Sequence, residues 1–287
     1  MASISAIKPN EVERPVLDLS GDALRAGIQA MVTGAEDHGG IERYVDAVKL
    51  KRDMFQQALD DIANLELEAF MGLCTFMATV RRRVGPWLNE ESFSDVREGL
   101  AGLFDDEQPV DARVDSFCAR FPNDKKHRWV RDLATEVMHN VEPERYPLMN
   151  RWVWDAKANT GVLREIWHGD NVDHITIPVG DGYGTYLVLR EELSQFLSEN
   201  GFFRDILQYV DILCAQVYAQ YICEQGGSFL RTDFSAPEDP MQHTRRLLGL
   251  DGVRPGSGRS RLKSIDGEAF VIDDTPLLNQ AKTNANS

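Results

Sequence analysis

The chain contains little of what several large classes of protein require. Its 287 residues include only four cysteines and no Cys-x-x-Cys pair, which argues against a disulfide framework and against a cysteine-bound zinc site. No apolar run approaches the roughly 18–20 residues of a membrane span. The first residues lack the basic and apolar regions of a signal peptide. These absences predict a cytoplasmic protein whose cysteines are reduced.

Catalytic sequence motifs are absent as well, and positive charge is scarce. There is no Gly-x-Ser-x-Gly motif and no Ser-x-x-Lys followed by its partner motifs. With 31 basic and 46 acidic residues the formal charge is −15, which argues against nonspecific binding of nucleic acid or anionic membranes. The positive charge is concentrated between Arg245 and Lys263, where six cations accompany one acid. This segment either folds back onto the acidic body or binds an acidic partner.

Apolar residues recur at helical spacing through residues 17–142, after a polar segment, 1–16, that we expect to be a mobile arm. The strongest stripe, from Phe55 to Val80, predicts a long helix from about Ile41 to Val84 with one buried face. Such a helix would be about 65 Å long. We therefore expect either a break near Lys49–Asp53 or a projecting helix that supports a homo-oligomer. Shorter helices are predicted at 20–34, 90–104, 110–121 and 123–141.

The triplet Arg81-Arg82-Arg83 ends the predicted long helix. Three cations suit the negative end of the helix dipole and need no ligand there. Binding of a phosphate or of an acidic partner is the alternative function of this triplet. Gly85-Pro86 then stops the helix.

Residues 151–189 are rich in aromatic and β-branched residues punctuated by turn signals. Four short runs are separated by Asn159-Thr160-Gly161, Gly169-Asp170-Asn171 and Gly180-Asp181-Gly182, a spacing typical of an antiparallel meander. The alternative for Gly161–His168 is a helical turn, although the segment is short for a helix. Gly180–Gly184 is predicted to be a hairpin turn, and a phosphate-binding loop is its alternative.

Together these patterns predict an α+β fold that is predominantly helical. Residues 143–227 are expected to hold the meander of about four strands, with two C-terminal helices, at Glu191–Glu199 and Phe202–Gln225, packed on it. Residues 228–287 are expected to form a flexible, largely irregular tail. A short strand at Ala269–Ile272 is expected to dock back onto the body.

Two clusters have the composition of metal sites. Glu136 and His139 form a Glu-x-x-His pattern, which places two ligands on one helix face, and Glu66 is a candidate third ligand of a di-iron site. The second cluster offers two imidazoles and a carboxylate, which suit Fe(II), zinc or manganese; its residues are His168, Asp170 and His174. Either cluster would make the protein a metal-dependent oxidoreductase with iron as the expected cofactor.

The other functional class is a non-catalytic accessory or scaffold protein without a cofactor. It would bind a protein partner, for example in the assembly of an enzyme complex, and the absent catalytic motifs favour it. Aromatic residues and arginine dominate the energetics of protein interfaces. The predicted partner-binding residues are Trp152, Trp154, Trp167, Tyr183, Arg259 and Arg261. Metal analysis of the purified protein distinguishes the two classes.

Overall fold

The computed structural model describes residues 12–169, 172–229, 240–253, 259–263, 268–271 and 277–284. These residues form eleven α-helices and one antiparallel two-stranded sheet. None of these helices combines the length and the apolar character needed to cross a membrane. The elements are α1 (Gly21–Glu36), α2 (Ile41–Leu59), α3 (Leu67–Thr75), α4 (Glu90–Gly102), α5 (Val110–Cys118), α6 (Trp129–Val141), α7 (Val162–Glu165), α8 (Tyr183–Glu199), α9 (Ile206–Phe229), α10 (Pro240–Leu247), β1 (Arg259–Lys263), β2 (Ala269–Val271) and α11 (Leu277–Asn284).

The predicted long helix is wrong, because the chain breaks after α2. A 3-10 turn follows at Ile62–Asn64, and α3 runs only to Thr75. The side-chain amide of Asn64 donates to the Asp61 carboxylate at 2.8 Å. Short polar side chains that bond locally in this way favour turns over helix, so the sequence around Asp61 reverses the chain.

Most of the apolar stripe is nevertheless buried, as predicted, although Ala69 is exposed. Phe55, Leu73 and Val80 are each at most 3% exposed. The expected break at Lys49–Asp53 is continuous helix. Bending the chain beyond that point lets both halves of the stripe face one core, which a straight helix of about 65 Å could not do. The described residues do not form the long helix through which a homo-oligomer was expected, and the oligomeric state itself stays a prediction.

The predicted meander at residues 151–189 is also wrong. The described residues there form turns, α7, a 3-10 turn at Val172–His174 and the first turns of α8, and they contain no strand. The amide of Ile166 donates to the Val162 carbonyl at 3.1 Å. This is a helical bond inside a predicted strand, so the alternative of a helical turn at Gly161–His168 describes the segment better.

Tertiary packing explains why residues of high β propensity form no sheet here. The indole of Trp154 donates to the Val179 carbonyl (3.1 Å), and the Tyr186 hydroxyl donates to the Trp154 carbonyl (2.7 Å). Trp152 and Trp154 both lie in the core, where their rings fill space between helices. Propensity for β-structure measures fit to a half-buried pleated surface, and it yields to packing of this kind.

The glycine-rich segment Gly180–Gly184 leads into a helix and does not form the predicted hairpin. α8 begins at Tyr183, well before the expected start at Glu191. The Asp111 carboxylate accepts hydrogen bonds from the Tyr183 amide at 2.9 and 3.2 Å. A side chain of α5 therefore caps α8 and stabilises the positive end of its dipole.

The core is one cluster of buried residues that extends from Leu24 to Ala281. The central helices are α2, α6 and α9, each of which packs against another of the three. α6 is buried on nearly all sides, so that Asp132, Glu136 and His139 lie inside the protein together with its apolar residues. Buried charges require partners, so the contacts of these three side chains determine whether any of them could bind a ligand.

The described parts of the predicted irregular tail are regular structure packed on the body, so that prediction is wrong there. Leu277 and Ala281 of α11 are buried in its packing against α2. β1 pairs antiparallel with β2, which confirms the short strand predicted at Ala269–Ile272. α10 and α11 have only eight residues each. Helices this short are marginal in isolation, and tertiary contacts supply the stability that the local sequence does not indicate.

Candidate binding site: the arginine cluster at Asp251

A tight turn after α10 returns the basic segment to the end of α3. Gly249, at φ +77°, lies so close to the Phe76 carbonyl that a Cβ atom would collide with it. Glycine alone accommodates both this approach and this backbone conformation. A Cβ atom on Gly252 would lie 2.8 Å from the Thr75 carbonyl oxygen. The turn thereby places Asp251 beside the arginines that follow α3.

Three guanidinium groups surround the carboxylate of Asp251. Arg81 Nη1 lies 2.7 Å from Oδ1, Arg261 Nε lies 3.1 Å from Oδ2, and Arg246 Nε lies 4.0 Å from Oδ2. Arg261 also donates from Nε to the backbone carbonyl of Asp251 at 3.2 Å. The three cations come from three separate segments of the chain and meet one anion among the described residues, so this part of the cluster carries an excess of positive charge.

The hydrogen bonding of this cluster is incomplete. Arg81 is 1% exposed, yet its Nε and Nη1 make no aligned hydrogen bond; the buried Nε of Arg246 makes none either, and Oδ1 of Asp251 accepts none. The contact between Arg81 and Asp251 is therefore an ion pair of poor hydrogen-bond geometry. Burial lowers the pKa of Arg81; Asp251 opposes this shift, and the charges of Arg261 and Arg82 add to it. Donors of a buried cation that make no hydrogen bond cost free energy. They therefore mark a place where a better-aligned acceptor would be stabilised.

A wider surface of cations adjoins the cluster. β1 alternates, with Ser260 and Leu262 buried and with Arg259 and Lys263 exposed on either side of the half-exposed Arg261. β1 packs near the 3-10 turn that follows the arginine triplet, and Arg82 and Arg83 of that triplet are exposed. We call this region the basic surface; it consists of Arg82, Arg83, Arg246, Arg259, Arg261 and Lys263.

The structure separates the predicted partner-binding residues into two groups. Arg259 and Arg261 belong to the basic surface. Trp152 and Trp154 are core residues, and so they do not present a binding face. Trp167 packs partly buried against the core, where it is bridged to Leu19. The hydroxyl of Tyr183 donates to the Arg145 carbonyl at 2.8 Å, at the start of α8.

Glu136, a residue of the predicted di-iron site, is engaged in an internal ion pair. Lys51 of α2 donates from Nζ to Glu136 Oε1 (2.7 Å) and to the Leu248 carbonyl (3.0 Å). The side-chain amide of Asn150 donates to Glu136 Oε2 at 3.2 Å. Glu66, the proposed third ligand, is exposed at the start of α3. The carboxylate of Glu136 thus joins α2 and α6 and does not face Glu66.

His139 belongs to a second internal group. Its Nδ1 lies 2.8 Å from the Tyr146 carbonyl, and its Nε2 lies 2.9 Å from the Asp211 carboxylate. Both partners are hydrogen-bond acceptors. Arg52 donates to the same carboxylate at 2.7 Å. Burial alone would raise the pKa of Asp211, but His139 and Arg52 outweigh it and hold that pKa below its ordinary value.

The other predicted metal ligands lie at the surface or outside the described residues. The side chains of His168 and His174 are exposed. Asp170 lies outside the described residues, so a site built from these three residues stays a prediction. Among the residues that the structure describes, no group of three or more His, Cys, Asp and Glu side chains is arranged to hold a metal ion.

A cavity of about 640 Å³ lies beside the start of α8. Gly180 and Gly182 line it, so the glycine-rich loop does precede a helix N-terminus, as a phosphate-binding loop would. Asp111 already occupies that helix end. Two arginines also line the cavity, but Arg145 pairs with Asp106 and Asp106 also lies 3.5 Å from Arg113. The positive charge of this cavity is therefore neutralised by the protein's own carboxylates.

The sequence indicated the arginine triplet and the basic segment as separate candidates, but it did not indicate that the two lie together. The triplet and the basic segment were each recognised as candidates for an acidic partner. The residue that joins them, Asp251, carried a weak signal, because it is the single acid between Arg245 and Lys263. No protein-family model, curated protein or solved structure matches this chain, so the argument for its function rests on the site itself.

Proposed function

We propose that this is a non-catalytic accessory protein that binds an acidic segment of a protein partner through the basic surface. The single observation that carries the proposal is the gathering of three guanidinium groups around one carboxylate, beside further exposed cations, in a chain of net charge −15. Arginine is favoured at interfaces because its planar fork pairs with carboxylates in a fixed geometry. A local basic surface on an acidic body steers an acidic segment to one place.

The charge of the whole chain favours a short acidic segment over a nucleic acid. A long polyanion would meet the repulsion of the acidic body on either side of the basic surface. A peptide segment of a partner is small enough to contact the basic surface alone. Arg259 and Lys263 are exposed and lie two residues before and after Arg261 on β1, so the three cations are spaced along one strand. This spacing suits an extended peptide.

The interior supports a binding role over a catalytic one. Lys51 pairs with Glu136, and Asp211 pairs with Arg52 and contacts His139, all inside the core. The cavity beside them is about 20 Å³, which is room for about one water molecule. A substrate therefore has no space beside these groups, and their partners are the protein's own side chains.

Fluorescence anisotropy with a labelled peptide of alternating glutamate and glycine tests the proposal. The test variant carries Arg83→Ala and Lys263→Ala, two exposed cations of the basic surface. The control carries Lys125→Ala and Lys126→Ala, which remove the same charge from another exposed position. An exposed ion pair contributes about 1 kcal/mol or less, so we expect the test pair to weaken binding roughly tenfold at low salt.

The control decides whether the loss is specific. We expect the Lys125/Lys126 variant to bind as the wild type does, within about twofold, because its lysines lie outside the basic surface. An equal loss in both variants would mean that only net charge matters, and the assigned surface would be wrong. Absence of binding by the wild-type protein at low salt would overturn the proposal entirely.

A further inference from the structure

We propose that Asp251 holds the place of a phosphate group, and that the pocket formed by Arg81, Arg246 and Arg261 binds a phosphorylated side chain of the partner. This inference rests on the proposed function, since the phosphate would be carried by the acidic segment that the basic surface binds. It specifies that one group on that segment is a phosphate. A phosphorylated side chain carries about −1.5 to −2 charges near pH 7 and presents three strong acceptor oxygens.

The arrangement of donors matches a tetrahedral anion better than it matches the carboxylate. The guanidinium groups approach Asp251 from the segment after α3, from α10 and from β1. The two oxygens of Asp251 leave Nε and Nη1 of Arg81 and Nε of Arg246 without an aligned hydrogen bond. Three peripheral oxygens spread in three directions can accept from donors that converge from three sides.

The charge of the three arginines also favours a phosphate over a carboxylate. Three cations face the single negative charge of Asp251, so one carboxylate leaves them under-neutralised. A glutamate of the partner would supply only the group that Asp251 already supplies. A phosphate dianion would neutralise the cluster more completely, and arginine groups are the side chains that recognise phosphate by paired hydrogen bonds.

Access to the buried arginine runs through Asp251. The side chain of Arg81 is 2% exposed and that of Asp251 is 19% exposed, while those of Arg246 and Arg261 are 39% and 30% exposed. Asp251 lies on the turn between α10 and β1, next to Gly252. Rotation of its side chain towards solvent opens the face of Arg81 that it covers. The aspartate is thus an internal competitor of the phosphate.

Three peptides of one acidic sequence test the inference by fluorescence anisotropy. They carry phosphoserine, glutamate or serine at a central position, and inorganic phosphate is used as a competitor. We expect the phosphoserine peptide to bind at least tenfold more tightly than the glutamate peptide. Equal binding of the two would overturn the inference and leave the proposed function standing. Failure of all three peptides to bind would remove both.

The competitor distinguishes the source of the phosphate. We expect inorganic phosphate to displace the phosphoserine peptide only at concentrations at least a hundredfold above the peptide's own dissociation constant, because it lacks the acidic flanks that the basic surface binds. Displacement at a concentration equal to that constant would assign the pocket to free phosphate, and it would overturn the assignment to a partner.

Two variants test the roles of individual residues. Asp251→Asn removes the internal competitor and should raise the affinity for the phosphoserine peptide several-fold. Arg261→Lys keeps the charge but loses the planar fork; it should reduce the preference for phosphoserine over glutamate to about twofold or less. An unchanged preference in Arg261→Lys would overturn the inference, and this variant decides the outcome alone if Asp251→Asn does not fold.

Discussion

The carboxylate of Asp211 links the three central helices, and its removal should destabilise the fold severely. Asp211 belongs to α9, accepts from Arg52 of α2 at 2.7 Å, and faces His139 of α6 at 2.9 Å. Replacement by asparagine keeps the size of the side chain and removes its charge. Arg52 then remains buried without its anion. Both Arg52 and His139 contact Oδ2 of Asp211, so the asparagine Oδ1 can still accept at that position, but only as a neutral group.

The expected cost follows from the burial of all three side chains, each no more than 6% exposed. Removal of one member of a buried ion pair costs about 3–5 kcal/mol, a large part of a typical total stability of about 5–15 kcal/mol. At about 2–4 °C per kcal/mol for a chain of this size class, Asp211→Asn should lower Tm by roughly 6–20 °C. Differential scanning calorimetry and urea unfolding at pH 7 measure the loss.

Asp53→Asn is the matched control. Asp53 is exposed on α2, next to Arg52 in sequence, and surface substitutions usually change stability by no more than about 0.5 kcal/mol. If Asp211→Asn unfolds within about 1 kcal/mol of the wild type, the buried cations do not depend on this carboxylate. The reasoning about the central network would then be wrong.

Other predictions concern pH and two glycines. The folded protein holds the pKa of Asp211 below its ordinary value. The stabilising contribution of this carboxylate is therefore complete above the unfolded pKa of about 3.9, and it is lost as pH falls through the lower folded pKa. Wild-type stability, followed by circular dichroism, should fall more steeply below about pH 4 than that of Asp211→Asn, and parallel curves would contradict this. Gly249→Ala should destabilise by at least about 1–3 kcal/mol and speed proteolysis of the residues after α10, because a Cβ would meet the Phe76 carbonyl. Gly72→Ala is the control for Gly249→Ala, because Gly72 lies in α3 with nothing within 4 Å of the added Cβ. We expect Gly72→Ala to stabilise the protein by about 0.4–1 kcal/mol. A loss of stability at Gly72 equal to that at Gly249 would refute the steric explanation.

The helices of the first half could be predicted because their signals are local. Ser20 caps α1 through the Ala23 amide (3.3 Å), and the apolar spacing from Phe55 to Val80 correctly indicates most of the residues that are buried. The turn at Asp61 was missed because the periodicity continues across it, and periodicity alone does not show whether a helix bends. A pair of polar residues, Asp61 and Asn64, was the only local sign of the turn.

The segment from Arg151 to Leu189 was mispredicted because its local signals have two meanings. Glycines and aspartates mark the turns of a meander, but they also mark irregular chain between helices. Trp154 and Tyr186 are typical of strands, but here they fill the core and bond to distant carbonyls. Which meaning applies depends on contacts that no short window of sequence contains.

The candidate site and the central network depend on contacts across long stretches of sequence, and that is why the sequence alone could not assemble them. Lys51 and Glu136 are 85 positions apart, and His139 and Asp211 are 72 apart. Arg81 and Asp251 are farther apart still. The patterns near Glu136 and His139 were therefore interpreted as ligands of a metal, although each has a protein partner of opposite charge.

The position of Asp211 in the chain has a consequence for synthesis on the ribosome. Arg52 is made long before Asp211, and until α9 emerges its guanidinium lacks the anion with which it is buried in the folded chain. An incomplete chain that closed α2 against α6 would bury Arg52 uncompensated, which is unfavourable. We therefore expect the nascent chain to keep this face open until the second half has been translated. Chains truncated before Asp211 should for this reason aggregate more readily than the full chain.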